Sequence, residues 1–135
     1  MAELIYAQDN GKLAFGDYTL ATKAKADGFE FGGDLYKVKT FKDITKLERN
    51  GMFVYESVPG TKVTNFLAND KEVSFSAEGT TDTQVTLELE AEKEFKLFIE
   101  GTNIGKMKTN LGGKLVLSVQ LTEGKSSAVR VVKQQ

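Results

Sequence analysis

The sequence predicts an all-β sandwich, because hydrophobic residues alternate with polar ones and turn residues recur at short intervals. An alternation with a period of two places apolar side chains on one face of a strand and polar side chains on the other. Short strands of this kind bury their apolar faces when one sheet packs on another. The alternation occurs in five segments: Val73 to Ala77, Val85 to Leu89, Phe95 to Ile99, Leu115 to Leu121 and Val129 to Val131.

Glycine, asparagine, aspartate and the single proline mark the turns between these strands, because they favour tight or left-handed backbone. They occur as Asp9-Asn10-Gly11, Asp27-Gly28, Gly32-Gly33-Asp34, Asn50-Gly51, Pro59-Gly60, Asn69-Asp70, Gly79, Gly101 and Gly112-Gly113. From Met52 onward they separate eight expected strands. These strands are expected at residues 52–58, 62–67, 72–77, 83–89, 94–100, 103–109, 114–121 and 127–132.

The N-terminal third predicts further strands over residues 12–20, 28–31 and 35–40. No stretch rich in proline, serine or charge separates this third from the remainder of the chain. We therefore expect one domain, in which residues 1–58 form a β-rich N-terminal extension and residues 59–135 form the core of the sandwich.

Residues 41–49 predict the one short helix of the chain, because three apolar residues recur there at a spacing of three. Thr40 offers a capping hydroxyl, and Gly51 suits the left-handed position that follows a helix. The competing interpretation makes Asn50-Gly51 a type I′ hairpin turn between two strands. We expect the helix in preference to the hairpin.

The composition excludes several kinds of chemistry. The chain has 135 residues and contains no cysteine and no histidine. This removes disulfide frameworks, thiolate metal sites and catalytic dyads or triads that depend on cysteine or histidine. We expect no metal and no cofactor.

The charges and the hydropathy indicate neither a nucleic acid nor a membrane as a partner. Lysine and arginine number 18 against 19 aspartates and glutamates, so the chain lacks a positive excess. No signal-peptide pattern begins the sequence, and no segment approaches the roughly 20 apolar residues of a membrane span. We expect a cytoplasmic protein, or an assembly part exported without a standard signal.

Aromatic and lysine side chains are the candidates for a binding site. Aromatic rings beside glycine-rich turns can stack on sugars or anchor a protein partner, although the competing interpretation places them in the core. Two lysine clusters could receive a phosphate or an acidic sugar, although exposed lysines are also common on strand faces and edges. The expected binding residues are Phe29, Phe31, Tyr36, Lys37, Lys39, Lys106, Lys108 and Lys114.

An acidic run at residues 88–94 offers oxygen ligands for calcium or carboxylates for glycoside hydrolysis. The competing interpretation makes Glu88 and Glu90 the solvated face of a strand, followed by Glu92 and Glu94 in a turn. The chain has no D-x-D-x-D-G calcium loop, which favours the solvated face. We expect no catalytic residue.

Three segments carry a resemblance over most of the chain, from about Gly16 to Leu121: FGDYTLATKAK, DLYKVKTFKDITKLERNGMFVYESVPGT and GKMKTNLGGKLVLSV. They resemble a group of short bacterial proteins that commonly carry the label endosialidase. Endosialidases that cleave glycans are much longer β-propeller enzymes of phage tailspikes, so the resemblance implies no catalytic residue for this chain.

The segment EFKLFIEGTNIGKMKTNLGGKLVLSV is similar to the Y-x-V-x-x-x-G … G-x-x-x-F-x-V run near the end of fibronectin-III-like and immunoglobulin-like modules. Phe95 stands where those modules have a tyrosine, so a tyrosine-corner hydrogen bond is absent there. This resemblance implies an immunoglobulin-like β-sandwich.

These observations predict a non-catalytic interaction module that binds a protein partner or forms a homo-oligomer through an exposed sheet face or edge. The alternative function is a carbohydrate-binding module associated with glycan processing. A third class is a small hydrolase that uses carboxylates alone.

Overall fold

The computed structural model describes residues 3–134 of the chain. Within them lie thirteen strands and no helix. The strands are β1 (Ile5–Ala7), β2 (Leu13–Phe15), β3 (Ala24–Phe31), β4 (Asp34–Phe41), β5 (Ile44–Arg49), β6 (Met52–Val58), β7 (Lys62–Ala68), β8 (Glu72–Glu78), β9 (Thr83–Glu88), β10 (Glu94–Ile99), β11 (Thr102–Lys108), β12 (Lys114–Val119) and β13 (Ser126–Lys133).

The strands form two antiparallel sheets that pack face to face. The seven-stranded sheet has the order β1-β2-β7-β8-β13-β10-β11, and the six-stranded sheet has the order β12-β9-β6-β5-β4-β3. The predicted all-β sandwich is therefore confirmed. With thirteen strands it is larger than an immunoglobulin constant domain, which has seven.

The eight strands expected after residue 52 are all present, with ends within two residues of the expected ones. Before residue 52, the strand expected over 12–20 shortens to three residues, and β1 adds a strand that the sequence did not indicate. The N-terminal segment is divided between the sheets. Strands β1 and β2 extend the seven-stranded sheet beside β7, while β3 to β6 form most of the six-stranded sheet.

The helix predicted over residues 41–49 is wrong. Phe41 ends β4 and β5 begins at Ile44, and the two strands pair so that Phe41 lies opposite Ile44. Both central residues of the Asn50-Gly51 turn have positive φ, 52° and 79°, as a type I′ hairpin requires. The three apolar residues that suggested a helix belong to two different faces of the sheet. Leu47 is buried on the inner face, whereas Phe41 and Ile44 lie on the outer face.

The core lies between the sheets and is built from alternate residues of both. Phe15 packs edge-on against Tyr55 and Phe66, with ring centroids 5.2 and 5.4 Å apart. Tyr55 also packs edge-on against Phe75 at 5.3 Å, a geometry that aromatic pairs favour. The following residues of the predicted core are buried: Val85, Leu87, Phe95, Leu97, Leu115, Leu117 and Val119. Leu89 and Ile99 are partly buried against them.

Five buried hydroxyl side chains form a hydrogen-bonded network within this core. The Thr45 hydroxyl donates to the Thr61 carbonyl oxygen at 2.9 Å and accepts the Thr61 N–H at 3.0 Å. The Thr40 hydroxyl, expected from the sequence to cap a helix, lies 2.7 Å from that of Thr45. The Thr61 hydroxyl lies 2.9 Å from the Tyr55 hydroxyl and 2.8 Å from that of Ser57. Burial raises the pKa of Tyr55 to about 12.

Candidate functional site

The alternation along β4 directs its lysines to the outer face of the six-stranded sheet. Tyr36, Val38 and Thr40 are buried on the inner face. Lys37 and Lys39 lie between them in the strand and therefore point outward. Two of the sequence-predicted binding residues thus share one sheet face.

Strands β3 and β5 add lysines on either side of Lys39. Lys25 lies directly opposite Lys39 on β3, and Lys46 lies directly opposite it on β5. Neighbouring strands are about 4.8 Å apart, so three ammonium-bearing side chains leave the sheet in one row. Lys23 and Lys37 flank this row. We name the five side chains the lysine face: Lys23, Lys25, Lys37, Lys39 and Lys46.

The mutual repulsion within the lysine face is evident at Lys39. The pKa of Lys39 is lowered below its ordinary value by the positive charge of Lys23, then by burial and by the other three lysines of the face. Glu48 offers partial compensation, with its Oε2 3.6 Å from the Nζ of Lys46. Within residues 3–134, the other four lysines of the face form no ion pair.

Two phenylalanine rings lie on the same outer face and hold cations above them. The Lys23 ammonium lies 5.9 Å from the centroid of the Phe41 ring. Lys114 reaches across from β12 and lies 3.9 Å from the centroid of the Phe53 ring. Its Nζ also lies 2.7 Å from Oε1 of Glu88, so this sequence-predicted residue is held in an ion pair at the border of the lysine face.

The remaining predicted lysines lie on a different sheet. Lys106 and Lys108 belong to β11, the edge strand of the seven-stranded sheet, where they lie opposite Lys96 and Glu94. The structure therefore does not bring them together with Lys37. Exposed lysines on an edge strand also discourage pairing with another sheet.

The three predicted aromatic residues pack toward the interior. Tyr36 is buried, and the Phe31 ring lies 6.2 Å from the Tyr36 ring in an edge-on arrangement. Phe29 lies opposite Tyr36 on β3, and Phe29 and Phe31 are partly buried against the core. These rings contribute packing to the inner side of the sheet whose outer side carries the lysine face.

Two of the four glutamates in the acidic run at residues 88–94 form ion pairs with lysines. Glu88 pairs with Lys114, and Oε1 of Glu90 lies 2.6 Å from the Nζ of Lys133. The hydrogen bond from Lys133 lowers the pKa of Glu90 below its ordinary value. A carboxylate in such a position stays ionised near neutral pH.

Lys23 and Lys25 were not predicted from the sequence, because no strand was expected at residues 24–27. An extension of the predicted strand through Asp27-Gly28 would have found them, since that dipeptide forms a bulge within β3 rather than a turn.

Over residues 3–134, no helix is long and apolar enough to cross a membrane. In the same part of the chain, no three His, Cys, Asp or Glu side chains are grouped to hold a metal ion. Comparison of the chain with protein-family models, with curated proteins and with solved structures finds no match.

Proposed function

We propose that this chain is a non-catalytic binding module whose lysine face holds an acidic surface of a partner protein. The observation that supports this proposal is the row Lys25, Lys39 and Lys46 on three adjacent strands. Like charges directly opposite one another destabilise a sheet. An acidic surface placed over the row offsets the repulsion between the lysines. Binding is therefore favoured by the free energy that this repulsion costs the isolated fold.

The shape of the lysine face favours a broad partner over a small ligand. The hollow between Lys25, Lys37, Lys39 and Lys46 has a volume of only about 70 Å³, whereas small-molecule sites have roughly 300 to 1,000 Å³. Lysine is a flexible point charge without the planar fork of arginine, which suits a surface of dispersed carboxylates. Val58 on the same sheet face is 49% exposed and adds apolar contact area.

The rest of the chain has the opposite charge. The formal net charge is −1, and the five lysines of the face contribute five positive charges, so the remaining residues carry a net charge of −6. A second copy of the chain could therefore compete with the partner for the lysine face. Association of this kind weakens as salt screens the charges.

The carboxylates of the chain support the non-catalytic part of the proposal. Glycoside hydrolysis requires one carboxyl group whose pKa is raised, so that it carries a proton to the leaving group. Lys133 shifts the pKa of Glu90 in the opposite direction. Glu88 is held in an ion pair with Lys114.

The test is the binding of a fluorescently labelled decaglutamate peptide, measured by anisotropy at low ionic strength. The triple variant Lys25→Gln, Lys39→Gln and Lys46→Gln should weaken binding by about tenfold or more, equal to about 1.4 kcal/mol. A matched control removes three lysines from the outer side of the seven-stranded sheet: Lys96→Gln, Lys106→Gln and Lys108→Gln.

Equal weakening by the two triple variants would contradict the proposal, because binding would then depend on overall charge alone. Size-exclusion chromatography at the same salt concentrations separates peptide binding from self-association. Binding of neutral glycans, with no binding of the acidic peptide, would instead support the carbohydrate-binding alternative.

A further inference from the structure

An open cleft of about 800 Å³ lies at one end of the sandwich, between the two sheets. We name it the end cleft; its walls come from the β5–β6 hairpin, the β7–β8 hairpin and the residues that follow β9. Its buried lining is apolar and includes Val54, Val73 and Phe95. Its volume lies within the range of small-molecule binding sites.

An arginine faces into the end cleft. Thr45 and Leu47 of β5 are buried on the inner face, and Arg49 continues the same alternation opposite the buried Tyr36. Inward charges on edge strands protect a sheet from further pairing. Strand β5, however, lies in the interior of its sheet, between β4 and β6, so this explanation does not apply to Arg49.

The guanidinium of Arg49 has no carboxylate partner in the chain between residues 3 and 134. Arg49 is partly buried, and its aliphatic stem can pack on the apolar lining while its guanidinium stays available to a ligand. Its planar fork can donate two parallel hydrogen bonds to one carboxylate. The residue therefore provides the charge and the geometry of a carboxylate-binding group at the mouth of the cleft.

The other charges of the lining limit the ligand to one negative charge. Four carboxylates line the cleft against two cations, Arg49 and Lys133. Lys114, Arg130 and Lys133 neutralise three of these carboxylates, so within residues 3–134 Arg49 is the one lining cation without an ion pair and matches a single negative charge. Among the described residues, Asp70 is the one lining carboxylate without an ion pair, since the others pair with lysine or arginine. It is exposed and can accept hydrogen bonds from hydroxyl groups.

We propose that the end cleft binds a small hydroxylated monocarboxylate of the sugar-acid class. Its carboxylate binds Arg49, its hydroxyl groups donate to Asp70, and its carbon skeleton packs against Met52 and Leu89. This site is separate from the lysine face, which lies on the outer side of the six-stranded sheet. The inference therefore stands whether or not the lysine face binds an acidic protein.

The test is a titration followed by two-dimensional amide NMR with three probes: sodium glucuronate, glucose and sodium hexanoate. Glucuronate carries the carboxylate and the hydroxyl groups, glucose lacks the carboxylate, and hexanoate lacks the hydroxyls. Glucuronate should give saturable shifts at the cleft amides of Asn50, Asn69 and Glu90. Glucose and hexanoate should each bind at least about tenfold more weakly than glucuronate, because each lacks one of the two contacts.

Variants assign the contacts. Arg49→Gln should weaken glucuronate binding by about tenfold or more, and Asp70→Ala should weaken it several-fold. The matched control Lys125→Gln removes one positive charge from the exposed β12–β13 turn and should leave binding unchanged. If Arg49→Gln fails to fold, Arg49→Lys keeps the charge, loses the fork and should still weaken binding.

Three results would overturn the inference. Glucuronate shifts confined to the lysine face would place the carboxylate there instead. Equal binding by hexanoate would remove the sugar-acid assignment. Unchanged binding by a folded Arg49→Gln protein would remove the arginine from the site.

Discussion

Replacement of Thr45 by valine tests whether the buried hydroxyl network stabilises the fold. Valine has almost the shape of threonine but lacks the hydroxyl, so the change removes hydrogen bonds and leaves the packing nearly intact. Thr45→Val removes three contacts of the hydroxyl: one with the Thr40 hydroxyl, one with the Thr61 carbonyl oxygen and one with the Thr61 N–H.

The expected cost follows from the partner groups that remain behind. The Thr61 N–H has no other hydrogen-bond acceptor among residues 3–134, and Thr61 is fully buried. An unsatisfied buried donor costs about 1 to 3 kcal/mol, and the carbonyl and hydroxyl that lose a partner add to this. We expect Thr45→Val to lower the free energy of unfolding by about 2 to 4 kcal/mol, a large share of the roughly 5 to 15 kcal/mol of a typical domain.

The assay is urea unfolding followed by circular dichroism, with the slope of the transition checked for constancy. Thr45→Ser is the matched control, because it keeps the hydroxyl and loses one methyl group at a cost of about 1 kcal/mol. If Thr45→Val costs less than Thr45→Ser, the network contributes little to stability and the reasoning fails.

Other predictions concern the stability of the core, the close packing around one glycine, the repulsion within the lysine face and the absence of glycoside hydrolysis. Leu117→Ala should lower stability by about 2 to 5 kcal/mol through lost burial and a cavity, and a change below about 0.5 kcal/mol in urea unfolding would place Leu117 at the surface. Gly16→Ala should destabilise by more than about 1 kcal/mol, because Gly16 has a φ of 94° and a Cβ there would overlap the Thr61 carbonyl oxygen. Lys39→Gln should raise the unfolding temperature at low salt, with the effect vanishing near 1 M salt if repulsion is its cause. Because the pKa of Lys39 is lowered, the folded state binds fewer protons than the unfolded state just below pH 10.5. The stability of the wild-type protein should therefore increase as the pH rises through that range. The Lys39→Gln variant should lack this increase. The purified protein should not hydrolyse oligosialic acid or a glycoside panel above the buffer rate; turnover that Glu90→Gln abolishes would refute this.

The strands were predictable where one face is apolar and the other is charged. In β12, Leu115 and Leu117 alternate with exposed residues, and the pattern leaves one interpretation. In β5 the inner face carries Thr45, Leu47 and Arg49, only one of which is apolar. The sequence of β5 therefore shows no alternation of apolar and polar residues, and its apolar residues were interpreted as a helical pattern. The Thr40 hydroxyl was assigned to a helix cap, although it bonds to the Thr45 hydroxyl inside the core.

The candidate site was predictable only in part, because its row depends on pairing between strands. Alternation along β4 identified Lys37 and Lys39 as outward-facing. Counting back from the β3–β4 turn would place Ala26 opposite Lys39, but the bulge in β3 shifts the register by one and places Lys25 there. A bulge of this kind is set by the packing of the whole sheet, so a local pattern does not give it.

Strand β13 follows all other described strands in the chain and yet lies in the middle of the seven-stranded sheet. It pairs with β8 on one side and with β10 on the other. While the chain emerges from a ribosome, β8 therefore keeps an open edge, and the β10–β11 hairpin has no neighbour until the last strand is released. Open edges of this kind invite pairing with other nascent chains. The seven-stranded sheet is thus complete only once β13 has been synthesised, and we expect the unpaired edge of β8 to need protection from pairing with other chains until then.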